Sequence, residues 1–464
     1  MAKVQMMGHS FYYPVQDVLQ LFYGQSFFDE KNHCCVAGND AWTLTSFRTE
    51  NTIVTSVLGR PELQMSISVS EIYVKREIKR QLYFVLSKLL QKSFPWGSLT
   101  GIRPTLIARE VASSKELSST YGVREDKSIL SIKTAQIENE TLSHISPSSH
   151  LMYIGVPFCK SRCSYCSFVS EDTYKKEHLL PAFKEALLKE MDGFFQAFPD
   201  IQISSLYIGG GTPTVFSDAD FNDFMQRLFR LLKGKNIKEI TVEAGRPDTI
   251  TKEKLLCLKA FGVERICINP QTLQDKTLER IGRKHSVQAF FDAFYLAREI
   301  GFSSINTDII AGLPGEAKED FIRTLEGLIS LSPENITVHS LSKKRTSHLT
   351  MLSSFPEDES DITENMVTYA HKRLAEEKYL PYYLYRQKST LGGQENTGYT
   401  RKGFACDYNT AMMSDLFSVI AFGSGISKRV FPGGRLERCQ GLKNPEEYMK
   451  RVDEMIQKKI TFFR

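Results

Sequence analysis

The sequence predicts an α/β protein: a partial (β/α)6 barrel with an α+β unit before it and a small cap after it. Three observations carry that expectation. From Leu151 onward, short β-rich runs alternate with longer helical runs, the pattern of βα units on a parallel sheet. Each short run ends in polar or glycine-rich residues, at the place where a parallel barrel builds its site. The alternation is absent before about residue 145 and breaks again after Pro381.

Bulk properties bound the class. A chain of 464 residues is longer than one hydrophobic core usually serves, which calls for two or three units. Its 41% hydrophobic and 24% charged residues are ordinary for a soluble globular protein and exclude disordered, collagen-like and membrane classes. The formal charge of +5 is small and not gathered into a tail, so composition calls for no nucleic acid, while an anionic small substrate fits. The start, MAKVQMMGHSFYYP, lacks the apolar stretch of a secretory signal, and no run of about 18 apolar residues suggests a membrane span. The expected setting is the reducing cytoplasm.

Taken in order, residues 1–145 read as a separate α+β unit. It has strand-like runs at Trp42–Phe47 and Thr52–Leu58, an amphipathic helix at Val74–Gln91, and a Pro- and Gly-punctuated loop at Phe94–Thr105. A polar linker, Ile145–His150, leads into the barrel, residues 146–380. Its six strands are expected at Met152–Val156, Ser204–Ile208, Glu239–Glu243, Arg265–Asn269, Ser303–Asp308 and Thr337–Leu341, with helices at Tyr174–Phe198 and Asp218–Leu232 among them. Residues 381–464, rich in Tyr, Gly and Gln and then carrying IAFGSGIS (Ile420–Ser427), read as the C-terminal cap. No internal repeat or low-complexity segment appears.

Of nine cysteines, six (Cys34, Cys35, Cys257, Cys267, Cys406, Cys439) are scattered without metal-ligand spacing, which argues against a disulfide framework. The other three form Cys159-x3-Cys163-x2-Cys166 in the loop after the first barrel strand. Thiolates are soft, charged ligands for iron, and three of them leave one iron of a [4Fe–4S] cube without a protein ligand. An amine and carboxylate can chelate that iron, as those of S-adenosylmethionine (SAM) do. A zinc knuckle is the competing reading, but no fourth ligand follows at zinc-like spacing.

The second strand runs into Gly209-Gly210-Gly211-Thr212, where glycines let backbone N–H groups approach a ligand; a tight strand-to-helix turn has the same composition. Glu243, Gln271, Arg283 and Asp308 lie at or just beyond strand ends and can pair with hydroxyls, ammonium or carboxylate. Taken singly, each also fits a surface polar group, Arg283 most of all because it lies in the helix-rich segment ERIGRKH. His339, Lys343, Lys344 and Arg345 form either a clamp for substrate carboxylates or a solvated basic loop, and Arg386, Lys388, Lys428 and Arg429 carry the same two readings.

These segments together resemble the oxygen-independent coproporphyrinogen dehydrogenases, a radical SAM family, and most closely its HemZ-type branch. The likeness covers nearly the whole chain. It rests on PWGSLTGIRPT (Pro95–Thr105), GVPFCKSRCSYCSF (Gly155–Phe168), YIGGGTPT (Tyr207–Thr214), VEAGRPDTIT (Val242–Thr251), INPQTLQDKTLERIGRKH (Ile268–His285), NTDIIAGLPGE (Asn306–Glu316), TVHSLSKKR (Thr337–Arg345), LYRQK (Leu384–Lys388) and QENTGY (Gln394–Tyr399).

The resemblance implies that Cys159, Cys163 and Cys166 hold the cluster and that Tyr153 and Tyr165 flank it and SAM. It further implies that Gly210, Gly211 and Thr212 contact the methionine part of SAM, that Glu243, Gln271, Arg283 and Asp308 complete the pocket, and that Ile426 lies near the adenosine or a second SAM. The implied reaction is oxidative decarboxylation of two propionates of coproporphyrinogen III to vinyl groups, with an electron donor such as flavodoxin or ferredoxin. Two departures keep other readings open. Phe168 stands where well-studied members carry a further cysteine, as it does in the related haem chaperones. The His-Asn-x-x-Tyr-Trp stretch of those chaperones reads Glu395-Asn396-Thr397-Gly398-Tyr399-Thr400 here. A haem-binding transfer protein of the HemW type, or a radical enzyme acting on another tetrapyrrole, is therefore the alternative.

Overall fold

A computed structural model describes residues 1–166, 170–342, 358–387 and 390–464. It forms two compact units, Met1–Lys133 and Thr134–Arg464. The division falls inside a helix, Glu125–Leu142.

The first unit is an α+β layer. Its strands are β1 (Ala2–Met7), β2 (Phe27–Asp29), β3 (Cys34–Ala37), β4 (Thr43–Arg48), β5 (Thr52–Val57) and β6 (Arg60–Ser68), in the order β2-β3-β1-β4-β5-β6. The helices Tyr12–Tyr23 and Val74–Leu90 lay Val15, Val18, Leu19, Ile78, Leu82 and Leu86 against Val4, Met6, Leu44 and Ile53 of the sheet. The expected strands and amphipathic helix of this unit stand within a residue or two of where periodicity puts them.

The second unit is built on one sheet. Its strands are β7 (His150–Val156), β8 (Phe158–Cys159), β9 (Glu171–Asp172), β10 (Ile203–Gly210), β11 (Glu239–Gly245), β12 (Arg265–Ile268), β13 (Ser304–Ala311), β14 (Asn335–Ser340), β15 (Leu380–Arg386), β16 (Glu395–Thr400), β17 (Ser418–Gly423), β18 (Ile426–Val430) and β19 (Leu436–Gln440). All except the small β8-β9 pair join in the order β15-β16-β14-β13-β12-β11-β10-β7-β17-β18-β19. Strands β7 and β10 to β14 are mutually parallel in sequence order, and these are the six barrel strands expected from the sequence.

Two expectations change. The segment read as a cap supplies β15 to β19 to the barrel's own sheet, and β17 is a seventh parallel strand, pairing Gly423 with Gly155 of β7. Its residues Val419 to Phe422 are all buried, so no period-two alternation marks it. The expected helix Tyr174–Phe198 is broken into Thr173–Lys176 and Leu180–Ala197, because Pro181 begins the second helix and has no N–H to continue the first.

Period-two alternation then sorts the side chains. Met152, Ile154, Leu206, Ile208, Val242, Ile266, Ile305, Ile309, Ile336 and Val338 join the helices in one large aliphatic core. Their neighbours in sequence, among them Tyr153, Tyr207, Glu243, Cys267, Asp308 and His339, therefore face the other side of the sheet. The short helix Asp407–Ser414 packs Tyr408 and Ala411 on that inner face, against Tyr207 and Val419.

Candidate active site

The cysteine loop leaves the end of β7 and is held at several points. Thr212 Oγ1 reaches Cys159 Sγ at 3.5 Å. Arg246 Nη1 donates to Ser161 O at 3.0 Å and to its hydroxyl at 2.8 Å, while Ser161 Oγ donates to Gly282 O and Ser164 N to Ile281 O, both at 3.0 Å. The segments after β10, β11 and β12 thus buttress one loop, and its three thiols are partly exposed. Among the described residues no three His, Cys, Asp or Glu side chains converge closely enough to hold one metal ion. Phe168 lies outside the described residues.

The glycine run is required by space and by conformation. Gly211 N donates to Val156 O at 2.8 Å, and a Cβ at Gly211 would stand 2.4 Å from Phe158 O. A Cβ at Gly209 would stand 2.8 Å from Glu243 Cδ, and Gly210 has a φ of +104°. Thr212 N donates to Phe158 O at 2.7 Å, which ties the run to the cysteine strand.

Next to it, Tyr207 donates its hydroxyl proton to Glu243 Oε1 at 2.6 Å. The rings of Tyr153, Tyr207 and Tyr408 form a triangle, with centroids 6.3 Å (Tyr153 to Tyr207), 4.7 Å (Tyr207 to Tyr408) and 6.2 Å (Tyr153 to Tyr408) apart. Burial pushes the Glu243 carboxyl up to about 7; Asp308 adds to the rise, and the Tyr207 hydroxyl and Gly210 N–H oppose it. Asp308 behaves differently. Burial acts to raise it too, but His339, Asn306 and Thr337 outweigh that and hold it below the usual carboxylate range.

Gln271 follows β12 with a φ of +68°, a left-handed conformation that is uncommon for a residue other than glycine. Hydrogen bonds to β13 impose it: Gln271 N donates to Asp308 O at 2.9 Å, and its carbonyl accepts from Ile310 N at 3.1 Å. Its buried Oε1 has no partner among the described residues. Arg283 is buried, not on the surface. Its guanidinium donates to the Tyr165 hydroxyl at 3.0 Å, Asn269 O at 2.8 Å and Gly245 O at 3.2 Å, while its Nε has no partner among the described residues.

Ile426 opens β18 and is 45% exposed, although its neighbour Gly425 lies against the Tyr153 ring. Of the basic candidates, Lys428 pairs with Asp415 at 3.0 Å and Arg429 donates to Phe462 O at 2.9 Å, so both serve the fold. Arg386 is buried, with a long bond to Gly393 O at 3.4 Å. Lys343, Lys344, Arg345 and Lys388 lie outside the described residues. Sequence reading passed over Tyr207, Arg246, Asn306, Asn396 and Tyr408. Tyr207 alone had a local signal, sharing a strand face with Gly209 at the head of the glycine run.

Residues 153–328 match the Radical SAM superfamily. Over 414 residues the chain is 34% identical to the oxygen-independent coproporphyrinogen-III oxidase-like protein HemZ of Bacillus subtilis, covering 83% of this chain and 81% of HemZ. The chain belongs to this radical SAM family. Its cofactors are accordingly a [4Fe–4S] cluster and SAM. It is also 36% identical to the heme chaperone HemW of Bacillus subtilis over 190 residues, 41% of this chain and 49% of HemW. The solved coproporphyrinogen III oxidase HemN of Escherichia coli, a radical SAM enzyme, superposes with a TM-score of 0.50 at 21% identity, over 69% of this chain and 73% of HemN; the two share a fold.

The residues present fit the radical SAM cofactors. Three thiols sit on a clamped loop, a glycine run leaves no room for a Cβ beside it, and buried polar atoms of Gln271 and Arg283 are left without partners among the described residues. No helix among the described residues is long and apolar enough to cross a membrane.

Proposed function

We propose that this protein, in the cytoplasm, oxidatively decarboxylates two propionate side chains of coproporphyrinogen III to the vinyl groups of protoporphyrinogen IX, one SAM being consumed as oxidant for each vinyl group after reduction by an electron from a flavodoxin or ferredoxin, and the electron left on the substrate passing to an acceptor. The observation that carries the reading is the likeness to HemZ along 83% of the chain, together with a polar inner face at the cysteine loop. Cys159, Cys163 and Cys166 would hold the cluster, Gly210, Gly211 and Thr212 the methionine part of SAM, and Glu243, Gln271, Arg283 and Asp308 the remaining polar groups, with Tyr153 and Tyr165 at the flanks. When bound, these cofactors supply a 5′-deoxyadenosyl radical.

The protein's part is orientation and shielding. Arg283 holds the Tyr165 hydroxyl and so fixes the cysteine loop to the end of β12. Glu243, kept from wandering by Tyr207, presents a carboxyl that changes charge near neutrality. The helix Asp407–Ser414 covers the inner face around Tyr207 and keeps bulk water from that side.

A second reading, haem transfer, is favoured by Phe168 and by the likeness to HemW. Against it, Glu395 stands in place of the chaperone histidine and bonds His371 at 2.6 Å, on the helix-facing side of β16. Anaerobically reconstituted protein given reductant, SAM and coproporphyrinogen III is expected to release protoporphyrinogen, carbon dioxide and 5′-deoxyadenosine in proportion. Stoichiometric haem binding without substrate-dependent deoxyadenosine would establish the transfer reading, and deoxyadenosine formed only with another tetrapyrrole would move the reaction to that substrate.

A further inference from the structure

We propose that His339, oriented by Asn396, is a positioning residue for Asp308: the amide of β16 sets the ring, and the ring sets the carboxylate. The inference deepens the function proposed above and rests on Asp308 being a cofactor contact.

Its starting point is an amide whose orientation is decided by a backbone group. Ser340 N donates to Asn396 Oδ1 at 3.0 Å, and an N–H requires an acceptor, so the oxygen end of the amide faces β14. That same oxygen lies 3.3 Å from His339 Nδ1. The amide's other end is engaged as well, since Asn396 Nδ2 donates to Tyr385 O at 3.4 Å. Across the ring, His339 Nε2 stands 3.6 Å from Asp308 Oδ2, an ion-pair distance.

Acceptors therefore flank both ring nitrogens. With Nε2 directed at Asp308, Nδ1 faces Asn396 Oδ1 and, at 3.4 Å, the Tyr385 hydroxyl, which can donate to it or accept from it. The titratable groups facing His339 are Asp308 from β13, Tyr385 from β15 and, at longer range, Glu243 from β11.

Asp308 is fixed from behind on its other oxygen too. Asn306 Nδ2 donates to Asp308 Oδ1 at 2.7 Å, and Asn306 Oδ1 is held by Thr337 Oγ1 at 3.1 Å. The carboxylate side chain remains 19% exposed, so its free lone pairs stay open to a ligand while its supported edges do not. A strand from the C-terminal part of the chain thereby takes part in the geometry of the pocket formed by the parallel strands.

The test is SAM affinity of the cluster-loaded protein, measured by equilibrium dialysis without substrate or turnover. His339→Ala is expected to weaken binding about tenfold, through loss of the ring that holds Asp308, and His339→Gln, which keeps a donor, to recover part of it. Asn396→Leu should weaken binding as well, Asn396→Asp, which keeps the acceptor, should not, and His339→Ala/Asn396→Leu should be no worse than His339→Ala alone. Asp308→Asn separates a cofactor contact at Asp308 from its positioning by His339. If it weakens binding while His339→Ala leaves it unchanged, or if the double variant is additive, the positioning role is overturned; if Asp308→Asn binds SAM as the wild type does, the cofactor reading of Asp308 falls and this inference with it.

Discussion

At the scale of single residues, the site is a set of groups whose environments contradict their solution chemistry. Glu243 is the clearest. Its folded carboxyl is raised from the ordinary 4.5 to about 7, so the unfolded chain gives up this proton at lower pH than the folded one. The associated stability is fully present below about pH 4.5 and is lost as pH rises through about 7. In protein without SAM, Glu243→Gln should remove that dependence: wild type should lose about 2 kcal/mol relative to the variant between pH 5 and 8 in denaturant melts. Equal slopes would mean that Glu243 is ionised throughout. Gly211→Ala is expected to lower iron and sulfide per chain after anaerobic reconstitution, because its Cβ would press on Phe158 O, one residue before Cys159. The cysteine triad stood out in the sequence because three thiols fall within eight residues of one loop. The Tyr207 to Glu243, Arg246 to Ser161 and Asn396 to His339 contacts were not, since each joins residues far apart in sequence and no local pattern announces it. Arg283 was ambiguous for a related reason: it follows a helix, and only the turn at Gly282 carries it inward.

At the scale of elements, alternation located six of the seven parallel strands because an aliphatic outer face and a polar inner face give period two a strong signal. It failed at β17, whose residues Val419 to Phe422 are buried on both sides and so show no alternation. That strand is instead held by the last helix, Val452–Phe463. Lys459 there pairs with Glu190 of the helix Leu180–Ala197 at 2.6 Å and donates to Ala421 O, while Glu190 also accepts from Gly423 N at 2.9 Å and from the Tyr448 hydroxyl at 2.7 Å. Lys459→Met should leave a buried carboxylate without its cation and cost about 3–5 kcal/mol in denaturant melts, and Glu190→Gln/Lys459→Met should cost less than Lys459→Met alone.

At the scale of the whole molecule, one described hydrophobic core is built from residues before about 95 and others from residues after Thr134. A fragment of residues 125–464, which keeps the helix Glu125–Leu142 whole, is therefore expected to melt cooperatively and to take up iron; a non-cooperative melt followed by circular dichroism would show that the second unit depends on the first.

The pairing of β17 with β7 also bears on synthesis. Strand β7 is made before the rest of the parallel sheet, yet one of its two edges stays bare until Ser418–Gly423 leave the ribosome. An unpaired strand edge invites wrong partners for as long as translation lasts. Ribosomes that stall before this point would release chains with three thiols on a loop beyond a half-paired strand, the form most open to aggregation and to capture of the wrong metal.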